Sequence, residues 1–353
     1  MKRPYAVERV LGHFPHLKPE YVMRRLRQST FVNLDKRYLY VEVPKAACTQ
    51  MKELLRTVEG APPIKVFAGG ARETRRDMFI HSRSNVPLPS LAELDDKTQR
   101  EILEAPDFLR MTVVRNPYTR LTSAWRNKIL LCEPAARDIY ARIKGGPPDF
   151  RKKSLVSFPE FVEYLANDCD LRACDGHWRR QVDHTFFPAL NFSLVARVER
   201  FGEGLRTFER HLGLSQLPVT AERNVSIAGD APYTPELADK VYSLYRSDFE
   251  VLGYDRNSWL ASQANGGTPS PNAVVPEEKF DDEIIERNLI IASLYEERDQ
   301  LQAQLQQASQ LARLFAIGNR LAAARTSCRK LAGQVRRWAR RKFPLRPRVS
   351  DLS

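Results

Sequence analysis

The chain has 353 residues, enough for one sizeable α/β domain with an appendage, and a formal charge of +13. That charge is local: from Arg320 to the end eleven Lys or Arg face only Asp351, so this tail carries most of the excess. The remainder is mildly basic, which suits an anionic ligand without calling for nucleic acid, and no run of about eighteen apolar residues marks a membrane span.

Residues 1–37 hold a short helix around Tyr21 to Arg27 and lead into an apolar run, Tyr38-Leu39-Tyr40-Val41 with Val43. Its aromatic and β-branched residues read as a strand buried on both faces, after which Met51, Leu54, Leu55 and Val58 recur at helical spacing. The switch lies at Pro44-Lys45-Ala46-Ala47-Cys48-Thr49, where small residues let backbone approach a ligand. A helix opening there aims its unpaired amides and positive dipole end at that spot, so an anion is the expected occupant. Lys45 adds a full charge and Thr49 a hydroxyl. The G-x-x-x-x-G-K-[ST] spacing of nucleotide triphosphatases is absent, which counts against ATP with magnesium.

Gly60 to Gly70 reads as a loop, Asp77 to His81 as a short apolar run ending in histidine, and Leu91 to Leu103 as a helix. A second strand-to-helix switch follows. Phe108 to Val114 reads as a strand, Arg115-Asn116-Pro117 as the turn, and Tyr118 to Leu131 as the helix, with Pro117 suited to its first turn. Arg115 then sits at the carboxyl end of its strand, where open α/β sheets hold ligands, and its guanidinium can grip a phosphate with two parallel bonds. The hydroxyl of Ser123 can complete that pocket.

Beyond Gly145 to Pro148, a connection, Phe158 to Leu165 is an amphipathic helix. Cys169, Cys174 and His177 have a spacing a metal can use but lack a convincing fourth ligand, so no metal is expected. Phe192 to Ala196 is another strand, Arg200 to Leu212 and Pro235 to Phe249 are helices, and Ser262 to Pro276 is a linker. Apolar residues from Ile291 to Trp338 approximate interrupted heptads, predicting a long helix that pairs with another copy or lies on an anionic membrane. The expected fold is therefore α/β: a P-loop-like parallel sheet flanked by helices, with a coiled-coil appendage. Its divisions are a domain at 1–260, a linker at 261–280 and a basic helical tail at 281–353.

The two switches, VPKAACTQMK at Val43 to Lys52 and VRNPYTRLTSAWRNK at Val114 to Lys128, resemble the sulfotransferase family. The likeness is to its carbohydrate branch, of the type that modifies chondroitin and the HNK-1 epitope. It extends to His177-Trp178, to RVERFGEGL at Arg197 to Leu205 and to RNVS at Arg223 to Ser226. The resemblance implies a sulfuryl donor, 3′-phosphoadenosine 5′-phosphosulfate (PAPS), and a carbohydrate acceptor. It implies that Lys45, Ala46, Ala47, Cys48 and Thr49 wrap the 5′-phosphosulfate, that Arg115 and Ser123 hold the 3′-phosphate, and that Arg223, Asn224 and Ser226 close over the donor. In related enzymes a catalytic histidine or glutamate lies between the two donor motifs, where His81 falls. His81 is thus the expected base and Lys45 the expected stabiliser of the leaving group; His177 is the rival base, and with Trp178 a contact for the acceptor.

Animal members of this branch are usually anchored in the Golgi. Here Met1-Lys2-Arg3 is followed by charged and polar residues and the five cysteines are odd in number, which predicts a cytoplasmic protein, peripheral at most to the inner face of the membrane. Two other readings stand beside the enzyme: a non-catalytic nucleotide-binding or scaffold protein of a glycan-assembly system, and a phosphoryl-transfer kinase.

Overall fold

The computed structural model describes residues 3–62, 80–81, 83–130, 136–145, 156–172, 174–215, 233–260, 297–298, 300–310 and 333. They belong to two units, Met1–Ile291 and Ala292–Ser353. In the second, residues 297–298 and 300–310 are helical, and Leu301 and Leu305 are exposed. The expected linker and most of the expected long tail helix lie outside the described residues.

The first unit is mixed α/β. Its sheet has four strands in the order β1 (Thr30–Asn33), β2 (Tyr38–Val41), β3 (Leu109–Val114) and β4 (Leu194–Arg197). β1 and β2 are antiparallel, whereas β2, β3 and β4 are parallel, with Tyr40 opposite Met111 and Val113 opposite Ala196. Strand alternation then sorts the side chains. Tyr38 and Tyr40 join Phe31, Met111 and Val113 on one face, while Leu39, Val41 and Val32 line the other.

Eleven α-helices of this unit have both ends among the described residues: α1 (Tyr5–His13), α2 (Pro19–Ser29), α3 (Cys48–Val58), α4 (Asp96–Glu104), α5 (Pro117–Ala124), α6 (Arg137–Lys144), α7 (Phe158–Asn167), α8 (Gln181–Thr185), α9 (Phe201–Leu212), α10 (Pro235–Leu244) and α11 (Arg246–Leu252). Met51, Leu54 and Leu55 of α3 and Phe208 of α9 cover the tyrosine face. Val7 and Val10 of α1, Val22 and Leu26 of α2, and Ile102 and Leu103 of α4 cover the other. A separate cluster of Tyr118, Trp125, Phe158, Phe161, Trp178 and Phe249 unites α5, α7 and α11.

Local chemistry moves several boundaries from their expected places. The helix expected from Leu91 is a 3-10 turn, Leu91–Glu93, and α4 starts separately because the Asp95 carboxylate accepts the Lys97 and Thr98 amides at 2.9 and 3.0 Å. Asn116 caps α5, and beyond Ala124 the backbone widens into a π-helical turn, Trp125–Leu130. α1, β1 and α6 were not expected from the sequence. Because β2 and β3 are parallel, the loops leaving Val41 and Val114 emerge at the same end of the sheet.

Candidate active site

The loop after β2 is held in a costly shape. Lys45 and Ala47 have φ of 67° and 56°, the left-handed region that costs a non-glycine residue on the order of 1 kcal/mol. Three contacts keep it there: the Ala46 amide donates to Val43 O at 3.2 Å, Arg120 Nε to Pro44 O at 3.0 Å and Arg115 Nη1 to Lys45 O at 3.4 Å. Ala47, the residue before α3, supplies no side-chain cap, so the first amides of that helix remain directed outward with its dipole. Cys48 is buried, which pushes its thiol up and makes it a wall rather than a nucleophile.

Arg115 is fixed at the end of β3. Its amide donates to Gln181 Oε1 at 2.9 Å, and Gln181 Nε2 returns a bond to its carbonyl at 2.8 Å. The guanidinium reaches Thr119 Oγ1 at 3.1 Å as well as the Lys45 carbonyl, so the two expected cation sites meet. Burial lowers the Arg115 pKa; the charge of Glu199 pulls it the other way, and Arg120 and Arg126 add to the lowering. Ser123 is buried within α5.

The π-helical turn adds two residues that the sequence did not single out. Lys45 Nζ donates to Asn127 Oδ1 at 2.6 Å, and the charge of Lys128 weighs on His81, His177 and Asp175. Both lie inside the quoted VRNPYTRLTSAWRNK motif, yet helical periodicity cannot show that the backbone widens there.

His81 and His177 share this field. His81 Nε2 is 3.3 Å from Thr49 Oγ1 and Nδ1 is 3.4 Å from Lys52 Nζ, while buried Lys52 pairs with Glu42 at 2.5 Å. Although the residue reaches solvent, desolvation of the ring, then Lys52, Lys128, His177 and Lys45, push its pKa down to about 3. His177 Nδ1 is 2.6 Å from Asp175 Oδ1, which also accepts the His177 amide at 2.9 Å. Burial and Lys128 lower the His177 pKa against the opposing pull of Asp175. Trp178, expected beside the acceptor, is buried edge-on against Phe161. Arg223, Asn224 and Ser226 lie outside the described residues. Cys169, Cys174 and His177 are not gathered into a metal-binding group among the described residues.

The stretch that carries both loops matches a known family in sequence. The model of the sulfotransferase family matches residues 28–255. The chain belongs to the sulfotransferase family. Its relatives include carbohydrate sulfotransferase 14 of Danio rerio, 26% identical over 65% of this chain and 63% of that protein. Carbohydrate sulfotransferase 14 of Mus musculus is 31% identical over 50% of this chain and 44% of its own, and carbohydrate sulfotransferase 12 of Xenopus laevis is 24% identical over 64% and 59%. The chain thus spans between 44% and 63% of the length of these curated relatives. No solved structure matches it.

These relatives correct one expectation. They are animal carbohydrate sulfotransferases, the branch for which Golgi anchoring is usual, and so the cytoplasmic placement is withdrawn. It rested on the lack of an apolar leader in this stretch, and an absence of that kind does not report a compartment. No described helix is long and apolar enough to cross a membrane.

Proposed function

We propose that this sulfotransferase-family chain transfers a sulfuryl group from PAPS to a carbohydrate hydroxyl by in-line displacement. The observation that carries the reading is the meeting of Lys45 and Arg115 across a left-handed loop whose helix start has no side-chain cap. The donor set fits a polyanion: ammonium, guanidinium and backbone amides line it, and residues 43–49 contain no carboxylate. In this reading the strand, loop and α3 form a P-loop-like cradle in which Lys45, Ala46, Ala47, Cys48 and Thr49 hold the 5′-phosphosulfate. Arg115 and Ser123 hold the 3′-phosphate, and Arg223, Asn224 and Ser226 close over the donor.

When bound, PAPS supplies a sulfuryl group already activated by a phosphate leaving group. Lys45 keeps a fixed positive charge where negative charge develops, and the α3 amides add to it at no reorganisation cost. Asn127 orients the Lys45 ammonium. A histidine of the cluster takes the acceptor proton, its basicity recovering once an anion offsets the surrounding cations.

The test is calorimetric titration of 3′-phosphoadenosine 5′-phosphate (PAP) into the wild-type chain and Arg115→Ala, with transfer of labelled sulfate to carbohydrates as the second readout. Micromolar-range binding lost in the variant is expected. A folded wild-type chain that binds no PAP overturns the reading.

A further inference from the structure

The two histidines differ in which nitrogen lone pair they can offer. A neutral imidazole has one N–H and one acceptor nitrogen, and its neighbours decide which is which. Lys52 Nζ, 3.4 Å from His81 Nδ1, has only protons to give, so Nδ1 must be the acceptor. The ring proton then sits on Nε2, facing Thr49 Oγ1 at 3.3 Å. Moving it to Nδ1 would aim an N–H at an ammonium that Glu42 holds in place. Neutral His81 therefore has no lone pair to spare for a substrate.

His177 is arranged the opposite way. Nδ1–H donates to Asp175 Oδ1 at 2.6 Å, leaving the Nε2 lone pair, which makes no hydrogen bond to a described residue. The loop is clamped: Arg120 donates to the carbonyls of Gly176 and Arg179 at 2.7 and 2.8 Å, and a Cβ on Gly176 would come within 3.0 Å of His184 Cε1 and 3.4 Å of Pro44 Cγ. That packing sets the dyad beside the loop after β2, where the charges of Lys128, Asp175 and Lys45 act on His177.

Resting on the sulfotransferase reading, we infer that His177 is the catalytic base, Asp175 its positioning residue, and His81 a neutral prop against α3. The acceptor O–H bond breaks, its proton passes to His177 Nε2 and its electron pair to sulfur as the sulfur–oxygen bond to the donor phosphate breaks. The leaving oxygen keeps that bond's electron pair beside Lys45, and Asp175 balances the imidazolium.

Histidine-selective nitrogen-15 spectra of the full chain with PAP test this without any acceptor. Expected are a His177 proton on Nδ1 with bare Nε2, the reverse for His81, and a lower His177 pKa in Asp175→Asn. With PAPS and a pool of desulfated glycosaminoglycans, His177→Gln should lose about 100-fold in kcat while its PAP affinity holds. A His177 proton on Nε2, or wild-type turnover in His177→Gln, overturns the dyad alone. A wild-type chain that binds no PAP, or that binds it yet turns over none of the pool, removes the sulfotransferase reading and the dyad with it.

Discussion

Lys45 Nζ and Asn127 Oδ1 are 2.6 Å apart, so the cation of the loop after β2 is aimed by a residue on the π-helical turn after α5. A neutral amide can orient the ammonium without competing for it, whereas a carboxylate would hold it as an ion pair and repel an anionic ligand. Asn127→Asp should therefore weaken PAP binding more than tenfold, about 1.4 kcal/mol. Asn127→Ala, which removes the bond without adding charge, should change it far less. Calorimetry on the two variants checks the difference; equal affinities would separate Lys45 from the ligand.

Arg120 is almost completely buried and spends its fork on three carbonyls, those of Pro44, Gly176 and Arg179. Burying the charge is costly, but removing the side chain strands three acceptors, each worth about 1–3 kcal/mol when left unsatisfied. Arg120→Met should thus lower unfolding free energy by about 3 kcal/mol and weaken PAP binding, because Pro44 belongs to the strained loop. Urea unfolding with a PAP titration reads both. A stable variant with full affinity would show that the loop holds its shape without this clamp.

The core of this site was legible because it depends on changes of period and on charge type. Tyr38 to Val58 and Phe108 to Leu130 switch from strand to helix where the loops form, and Lys45 and Arg115 are the cations on those loops. What was hidden depends on pairing across the chain. β1 is only Thr30-Phe31-Val32-Asn33, follows α2 without a break, and acquires its strand character from the register with β2. Asn127 gains its role from a π-helical widening, Lys52 from burial between Glu42 and His81, and Asp175 from a turn that folds its carboxylate onto His177. Helix α6 starts after Ala136 with no side-chain cap, so no capping signal marks its start.

Gly204 permits α9 to lie directly on β4. A Cβ there would overlap the Ala196 methyl, which is anchored to strand backbone and has no room to move. Gly204→Ala gains about 1 kcal/mol of helix propensity, but overpacking of a core contact costs about 1–3 kcal/mol, so Tm should fall. Gly202→Ala is the control, since its Cβ meets only the flexible end of Arg206 at 3.6 Å, and it should be neutral or stabilising. Thermal unfolding of both variants checks the sign; a Gly204→Ala chain as stable as Gly202→Ala would mean that α9 can lift off the strand cheaply.

His184 should make this fold sensitive to mild acid. Its ring is buried, with Arg25 Nη2 2.7 Å from Nε2, and its pKa is pushed well below 6.5 by burial and then by Arg25, Arg179, Arg120 and His177. His81 and His177 are shifted the same way. Below about pH 6.5 the unfolded chain takes up these protons and the folded chain does not, so stability falls as pH drops through that point and is flat above it. Buried His184 contributes at most about 1.4 kcal/mol per pH unit, while solvent screens the exposed His81 and partly exposed His177 so that they add less. Asp248, pushed up to about 6 by burial, takes up a proton in the folded chain over the same range and offsets up to one of these protons. Urea unfolding at pH 7, 6 and 5 should show the decline, and His184→Gln should make it shallower by up to one proton whatever its effect on stability at pH 7. An unchanged slope would mean that His184 gains its proton in the folded state, which the Arg25 guanidinium against its ring opposes.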